Sequence, residues 1–78
     1  MHIEIINPQK ALFSGEAVVV QFPGKEGSFE VMENHAPLIA VLKKGRVRIV
    51  APDKKEAFVE VEGGLVEVKD NVVMVLAE

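Results

Sequence analysis

The fold is decided by the stretch from Pro23 to Ile49, which reads PGKEGSFEVMENHAPLIAVLKKGRVRI. Gly24 and Gly27 stand where the chain can turn sharply, because glycine adopts a positive φ without steric cost. Pro37 disfavours the helical conformation in the residue before it, so the polar bend there leads into an extended segment. The stretch therefore predicts a glycine-cornered turn, a short strand, a bend and two further strands.

The rest of the chain shows the same pattern of short strands and turn residues. Ile3 and Ile5 alternate with polar neighbours, as do Val66 and Val68, which is the period of a strand with one buried face. Asp70-Asn71 predicts a two-residue hairpin turn, since both residues tolerate a positive φ. About ten short strands and no helical period indicate an all-β fold, an antiparallel sandwich formed as one domain over residues 1–78.

The last strand of the stretch 23–49 pairs with the next strand in a hairpin whose register can be predicted. Its apolar residues fall on one face only if paired residue numbers have the same parity. A three-residue turn at 51–53 then places Arg48 opposite Glu56 and Arg46 opposite Phe58. Such cross-strand pairs contribute about 0.2–1 kcal/mol each, so we expect them to set register more than stability.

Three apolar segments and one interruption need a structural explanation. Ser14-Gly15 interrupts an apolar segment and predicts a bend or a bulge. Ala17–Phe22 is apolar at nearly every position, which is typical of a strand that is covered on both faces or lies at an interface. Pro37–Leu42 is also almost wholly apolar, and its short length favours a strand over a helix. The apolar last strand, Val72–Ala77, leaves self-association of the free protein open.

Composition excludes several classes of function. The chain of 78 residues has no cysteine, so it carries neither a disulfide framework nor a metal–thiolate site. A net charge of −3 argues against a nucleic-acid-binding protein. The N-terminus does not read as a signal peptide, and no apolar run approaches the roughly 18–20 residues needed to span a bilayer, so we expect an intracellular domain. We interpret the one basic cluster as a solvated turn and strand face: Lys43, Lys44, Arg46 and Arg48.

Candidate chemical sites are weak. His35 with Glu30 and Glu33 nearby resembles part of a metal site, but a second histidine and any cysteine are missing from the motif. The two serines show no nucleophile-elbow pattern, so a hydrolase is disfavoured. The Gly24–Gly27 turn lacks the spacing and the following helix of a phosphate-binding loop. We expect no cofactor and no catalytic residue, and His35 is interpreted either as a brace for the bend or as a contact residue.

Five motifs in order carry a resemblance that covers essentially the whole chain. They are Pro-Gly-x-x-Gly-x-Phe at 23–29, His-Ala-Pro-Leu at 35–38, Leu-x-x-Gly-x-Val-x-Ile at 42–49, Leu-Phe-Ser-Gly-Glu at 12–16, and Gly-Gly-Leu-Val-Glu-Val at 63–68 followed by the strand at 72–77. Together they closely resemble the epsilon subunit of F-type ATP synthases. That resemblance implies a β-sandwich of two five-stranded sheets.

The resemblance also implies a function and two contact surfaces. Epsilon subunits belong to the rotor of a proton-translocating synthase, where they link the gamma subunit to the membrane c-ring without catalysis of their own. The implied location is peripheral, on the cytoplasmic face of the cell (inner) membrane. The implied gamma contacts are Asn7, Phe13, His35, Ala36, Pro37 and Leu38. The implied c-ring contacts are Gly24, Lys25, Glu26, Gly27 and Ser28.

The sequence departs from the usual family pattern at three places, the first of which is Glu30, where the family typically has glycine. Glu33-Asn34 stands where the family typically has Pro-Gly, and we expect Asn34 to adopt the left-handed conformation that glycine would supply. Most family members continue into a two-helix hairpin that can inhibit ATP hydrolysis, and the chain ends at Glu78 after its last strand. We therefore expect no inhibition by such a hairpin.

Two other functions remain open. The first is a generic small β-sandwich adaptor that binds another protein and has no preference for gamma or the ring. The second is a small β-sandwich enzyme, which requires acid, base or metal-binding groups that converge in a cleft. A structure that brings Glu30, Glu33 and His35 together on a metal would favour that second function.

Overall fold

The computed structural model describes residues 1–78 and contains no helix. The all-β prediction is confirmed, with nine strands where about ten were expected. In chain order the strands are β1 (His2–Ile6), β2 (Ala11–Glu16), β3 (Val19–Phe22), β4 (Phe29–Met32), β5 (Leu38–Leu42), β6 (Gly45–Val50), β7 (Glu56–Val61), β8 (Gly64–Lys69) and β9 (Val72–Ala77).

The strands form two sheets, as a sandwich requires. The five-stranded sheet has the order β2-β1-β9-β8-β5, and the four-stranded sheet has the order β4-β3-β6-β7. The second sheet therefore has four strands where the resemblance implied five. Every pair is antiparallel except β1 with β9, which run parallel from His2 and Val72 to Ile6 and Leu76. The first and last strands of the chain thus lie side by side in the middle of one sheet.

The core lies between the two sheets and is entirely apolar. It contains 16 buried hydrophobic side chains and no buried polar or charged residue. Phe22, on β3, is its largest fully buried side chain, and Ile3 and Ile5 of β1 face it from the other sheet's side of the core. The predicted alternation is therefore correct for these strands, because every second residue points into the core.

The predicted register of the β6–β7 hairpin is wrong by two residues. Arg48 lies opposite Phe58 and Arg46 lies opposite Glu60. The turn begins one residue later than predicted, because the Ala51 amide donates to the Lys55 carbonyl at 2.9 Å. The parity of the pairing is as predicted. The expected partners still meet, since diagonal neighbours in a sheet are within reach of long side chains.

The predicted irregularity in β2 occurs at a different residue. β2 runs without a break through Ser14-Gly15, and its pairing with β1 shifts instead at the step from Phe13 to Ala11. Leu12 is the extra residue. Leu12 and Phe13 both pack against the core, which strict alternation does not allow for successive residues, and the bulge at Leu12 accounts for this.

The last strand, β9, is the central strand of its sheet. Its backbone is paired with β1 on one side and β8 on the other. It therefore offers no free edge for pairing with a second copy of the chain. Because β9 is apolar on both faces, it also places hydrophobic side chains on the surface: Val72 and Leu76 point away from the core and are 42% and 49% exposed.

Two predicted backbone conformations are confirmed. Asp70 and Asn71 have φ values of 52° and 61° and form the two-residue turn between β8 and β9. Asn34 has a φ of 61°, in the left-handed region where a glycine was the alternative. Asparagine tolerates this region because its short side chain can bond to nearby backbone.

Candidate functional site

The Gly24–Gly27 turn is a closed structure at one end of the sandwich. The Gly27 amide donates to the Gly24 carbonyl at 3.0 Å, and Gly27 has a φ of 131°. Gly24 is buried, and a Cβ atom on it would overlap the Gly27 carbonyl oxygen and approach the Phe29 ring to 2.8 Å. The turn therefore requires glycine at both corners. The three side chains that it presents are exposed and polar: Lys25, Glu26 and Ser28.

This turn is attached to the five-stranded sheet. The Lys25 amide donates to the Val41 carbonyl at 2.9 Å, and the Lys43 amide donates to the Pro23 carbonyl at 2.9 Å. One isolated bridge joins Gly24 to Leu42. The segment 23–25 thus crosses from β3 in one sheet to β5 in the other. Of the segments outside the nine strands, residues 23–25 come closest to forming a tenth strand.

An aromatic pair supports the turn from below. The rings of Phe22 and Phe29 stack with centroids 5.3 Å apart and an interplanar angle of 30°. Phe22 is buried in the core, whereas Phe29 is only partly buried beneath the turn. Packing of this kind transmits the stiffness of the core to the exposed turn.

A groove lies between the turn and β5, and no sequence motif predicts it. Its volume is about 450 Å³. Phe29 lies in its wall, and its remaining lining comes from the turn at 24–27 and from Ile39, Ala40 and Val41. The groove forms because the turn contacts only the last residues of β5, which leaves the start of that strand uncovered.

The bend at 33–37 lies at the opposite end of the five-stranded sheet. The His35 amide donates to the Met32 carbonyl at 3.2 Å, and His35 Nδ1 lies 2.8 Å from the Ala36 carbonyl oxygen. His35 therefore braces the bend through a hydrogen bond, as the first of its two interpretations states. The side chains of His35, Ala36 and Pro37 are exposed, and Leu38 is half-buried at the start of β5.

Asn71 connects this bend to the β8–β9 turn. Its Oδ1 accepts from the Asn34 amide at 2.8 Å, and its Nδ2 donates to Glu33 Oε2 at 3.1 Å. The same Glu33 carboxylate accepts from the N-terminal ammonium of Met1. These contacts, the ammonium first and Asn71 second, lower the pKa of Glu33 below its ordinary value. The bend is therefore fixed by charge as well as by backbone hydrogen bonds.

The structure separates the six residues that the resemblance assigned to gamma. Asn7 follows β1 at the same end of the sheet as the Gly24–Gly27 turn, and its Oδ1 accepts from the amides of Gln9 and Lys10. Phe13 is on β2 and packs against the core. The group 35–38 lies at the far end, beside β5. No single small patch contains all of these residues.

Between the two ends lies an outer face that is largely apolar and also carries Glu67 and Lys69 of β8. Alternate residues of β5, β8 and β9 point away from the core on the outer side of the five-stranded sheet. The pairing places Leu76 opposite Leu65, and Leu65 opposite Val41, in one row across the strands. We define the apolar face by its large exposed members: Ile39, Val41, Leu65, Val72 and Leu76. Sequence reasoning identified two of its strands as apolar on both sides but not that they form one surface.

Three of the four side chains in the basic cluster have partners in the four-stranded sheet and its flanks. Arg48 Nε donates to Glu56 Oε1 at 2.9 Å, which lowers the pKa of Glu56 and raises that of Arg48. The Arg46 guanidinium lies 4.6 Å from the centre of the Phe58 ring. Lys44 is 3.8 Å from Glu62. These pairs agree with the interpretation of the cluster as a solvated face.

The residues suggested for a metal site do not converge. The Glu33 carboxylate contacts Asn71 and the N-terminus, the ring of His35 contacts a backbone carbonyl, and Glu30 lies on β4 opposite Gln21. No group of three potential ligands is arranged to hold a metal ion. The structure therefore does not bring Glu30, Glu33 and His35 together, the arrangement that would favour a small enzyme.

His2 is held between two carboxylates on the outer side of β1 and β2. Its Nε2 lies 3.1 Å from Glu4 Oε1, and its Nδ1 lies 3.0 Å from Glu16 Oε2. Hydrogen bonding to Glu4 and then to Glu16 raises the pKa of His2 above its ordinary value of 6.5. The stability from this pairing is present below pH 6.5 and is lost as the pH rises through the higher folded-state pKa.

We predict that Glu16→Gln lowers the pKa of His2 towards its ordinary value, because the neutral amide stabilises the imidazolium less than the carboxylate does. An NMR titration of the His2 ring protons measures this shift. Glu60→Gln is the matched control, since Glu60 pairs with Arg46 on the other sheet. The same His2 pKa in both variants would contradict the assignment.

Comparison with known proteins identifies the family. A family model described as the β-sandwich domain of the ATP synthase delta/epsilon chain matches residues 1–78. The chain belongs to this family. It is 46% identical to the ATP synthase epsilon chain of Chlorobium limicola over 76 residues, which is 97% of the chain and 86% of that relative. It is 41% identical to the epsilon chain of Delftia acidovorans over 78 residues, all of the chain but only 56% of that relative.

Solved structures agree with the delta/epsilon fold. A chain in the mitochondrial ATP synthase of Euglena gracilis, in a structure of OSCP, F1 and the c-ring, superposes with a TM-score of 0.88 at 18% identity and covers 96% of this chain and 48% of its own. A chain in a structure of the central stalk and c-ring of the Tetrahymena thermophila mitochondrial ATP synthase superposes with a TM-score of 0.78 at 20% identity. The match covers 99% of this chain and 62% of the other chain. At these identities the likeness concerns the fold.

The structure contains no apolar helix long enough to cross a membrane.

Proposed function

We propose that this domain is a non-catalytic part of the rotor of a proton-translocating F-type ATP synthase, where it links the gamma subunit to the c-ring. The observation that carries the proposal is the match of all 78 residues to the delta/epsilon sandwich, with epsilon chains at 41% and 46% identity. The location that follows is peripheral, on the cytoplasmic face of the cell membrane, through contacts with the ring.

The c-ring contact is assigned to the turn at 24–28. Its side chains are polar and exposed, as a contact with polar loops requires, and none of them takes part in the core. Backbone hydrogen bonds to β5 and the Phe22–Phe29 stack hold the turn to the sandwich. A load on the turn is therefore passed to both sheets instead of being absorbed by a flexible loop.

The gamma contact is assigned to the apolar face and the bend at 35–38. A surface of five large exposed apolar side chains on one sheet is typical of an interaction site on a small protein. The face spans the sheet from the end that carries Asn7 to the end that carries His35. A partner lying across it contacts Asn7 and the group 35–38, which are far apart in the fold, whereas Phe13 packs against the core on β2.

Coupling follows from these two contacts. A stiff sandwich fastened to gamma on a broad face and to the ring at one end makes the three parts turn together. Closely packed sheets with an apolar core deform little, so torque from the ring reaches gamma without slippage. The chain supplies no proton-transfer or phosphoryl-transfer group to this process, and its contribution is mechanical.

Co-purification tests the proposal. Tagged protein is recovered from detergent-solubilised membranes, and gamma and the c-ring subunit are measured in the eluate. We expect both to be recovered with the wild-type chain. Leu65→Glu places a charge in the middle of the apolar face and is expected to reduce gamma recovery at least tenfold, whereas Glu62→Gln, on the four-stranded sheet's flank, is the matched control. Recovery of neither partner by the wild type would favour the generic adaptor.

A further inference from the structure

β5 is an edge strand whose inner neighbour is β8 and whose outer side is mostly uncovered. The segment 23–25 reaches only its last residues, through the Lys25 amide and the Val41 carbonyl. In an antiparallel strand, the backbone groups of successive residues point alternately to the two sides. Since Val41 presents its carbonyl to the outer side, Ile39 presents both its N–H and its C=O there. No strand pairs with them.

Within β5 itself the usual protection against pairing is missing, although Pro37 stands directly before the strand. Natural sheets protect their edges with charged residues, proline or bulges. The other three edge strands each carry a carboxylate: Glu16 on β2, Glu30 on β4 and Glu56 and Glu60 on β7. β5 reads Leu-Ile-Ala-Val-Leu without a charge, and Ile39 is 66% exposed. An uncharged, exposed edge of this kind is a template for another strand.

The groove beside this edge accommodates the side chains of such a strand. Its volume of about 450 Å³ opens between the free part of β5 and the Gly24–Gly27 turn. Its walls combine the Phe29 ring with the apolar residues of β5. Backbone hydrogen bonds give an added strand its affinity, and a neighbouring pocket selects its side chains.

We propose that the free edge of β5 pairs with an extended segment of the gamma subunit, which becomes a sixth strand of the five-stranded sheet. The inference rests on the proposed function and specifies one of its contacts. Gamma is the occupant because the edge is continuous with both parts of the surface assigned to it: the bend at 35–38 leads directly into β5, and Ile39 and Val41 also belong to the apolar face.

Substitution of proline at the edge tests the hydrogen bonds directly. Ile39→Pro removes the outward N–H and leaves the bonds from β5 to β8 in place, since proline is tolerated where the missing donor faces away from the sheet. We expect its affinity for purified gamma, measured by titration calorimetry, to fall at least tenfold. Ile39→Val keeps the amide and a branched side chain, and it is expected to bind within about twofold of the wild type.

Hydrogen exchange on the wild-type chain provides a measurement that does not depend on the folding of the proline variant. The Ile39 amide is expected to exchange rapidly in the free protein, because its N–H points away from β8. The Ala40 amide is expected to exchange slowly, because its N–H points toward β8. Addition of gamma is expected to slow exchange at Ile39 at least a hundredfold. Unchanged exchange at Ile39 in the complex overturns the proposal.

The possible outcomes separate this inference from the proposed function. If the wild type does not bind gamma, both fail. If the wild type and Ile39→Pro bind gamma equally, gamma is a partner but strand addition is wrong. A concentration-dependent dimer in sedimentation that Ile39→Pro abolishes, with gamma affinity unchanged, assigns the edge to a second copy of the chain and overturns the inference.

Discussion

Phe22→Ala is expected to lower the free energy of unfolding by about 3–5 kcal/mol, the range for truncation of a fully buried phenylalanine. Phe22 is the largest completely buried side chain, and its ring stacks on Phe29 beneath the exposed turn. Small domains have a total stability of about 5–15 kcal/mol, and one of this size lies near the lower end. The substitution therefore removes a large part of the stability and loosens the surface assigned to the c-ring.

Urea denaturation followed by circular dichroism measures this effect. Phe58→Ala is the matched control, because Phe58 is 49% exposed on β7 and contacts Arg46 rather than the core. It is expected to cost less than about 1 kcal/mol. Equal losses for the two substitutions would contradict the full burial of Phe22 in the core.

Gly24→Ala is expected to displace the turn at 24–27 and to reduce c-ring recovery at least tenfold in co-purification. The added Cβ would overlap the Gly27 carbonyl oxygen and come within 2.8 Å of the Phe29 ring. Overpacking of this kind typically costs about 1–3 kcal/mol. Because the first obstacle is backbone, the turn has to shift as a unit, and the groove beside it changes shape.

Gly15→Ala is the matched control for the added methyl group. Gly15 lies on β2, at the other edge of the five-stranded sheet from β5, and a Cβ atom there would meet only the Phe13 ring at 3.5 Å, an ordinary contact. We expect ring recovery within about threefold of the wild type for this control, since the added atom displaces no backbone. If Gly24→Ala binds the ring as well as Gly15→Ala does, the turn is not the ring contact, while the gamma assignment is unaffected.

Much of the fold could be predicted because strand periodicity fixes which residues face the core. Ile3, Ile5, Val47 and Ile49 are all buried as their alternation indicates. Strand order could not be predicted in the same way. The parallel pairing of β1 with β9 joins the two ends of the chain, and no local pattern in either strand specifies a partner so distant in sequence.

The candidate site was only partly predictable for the same reason. The turn at 24–28 and the bend at 35–38 are local, and glycine and proline positions specify them. The apolar face is not local, since it arises where β5, β8 and β9 come together. The register of the β6–β7 hairpin was predicted two residues off, because the sequence shows a turn near Pro52 without showing which residue pair closes it.

A role in the rotor is tested most directly by ATP-driven proton pumping in membrane vesicles from which this subunit has been removed. We expect the depleted vesicles to hydrolyse ATP with little pumping and the added wild-type chain to restore pumping, whereas Gly24→Ala restores little. Pumping that is the same with and without the chain would contradict a role in the rotor.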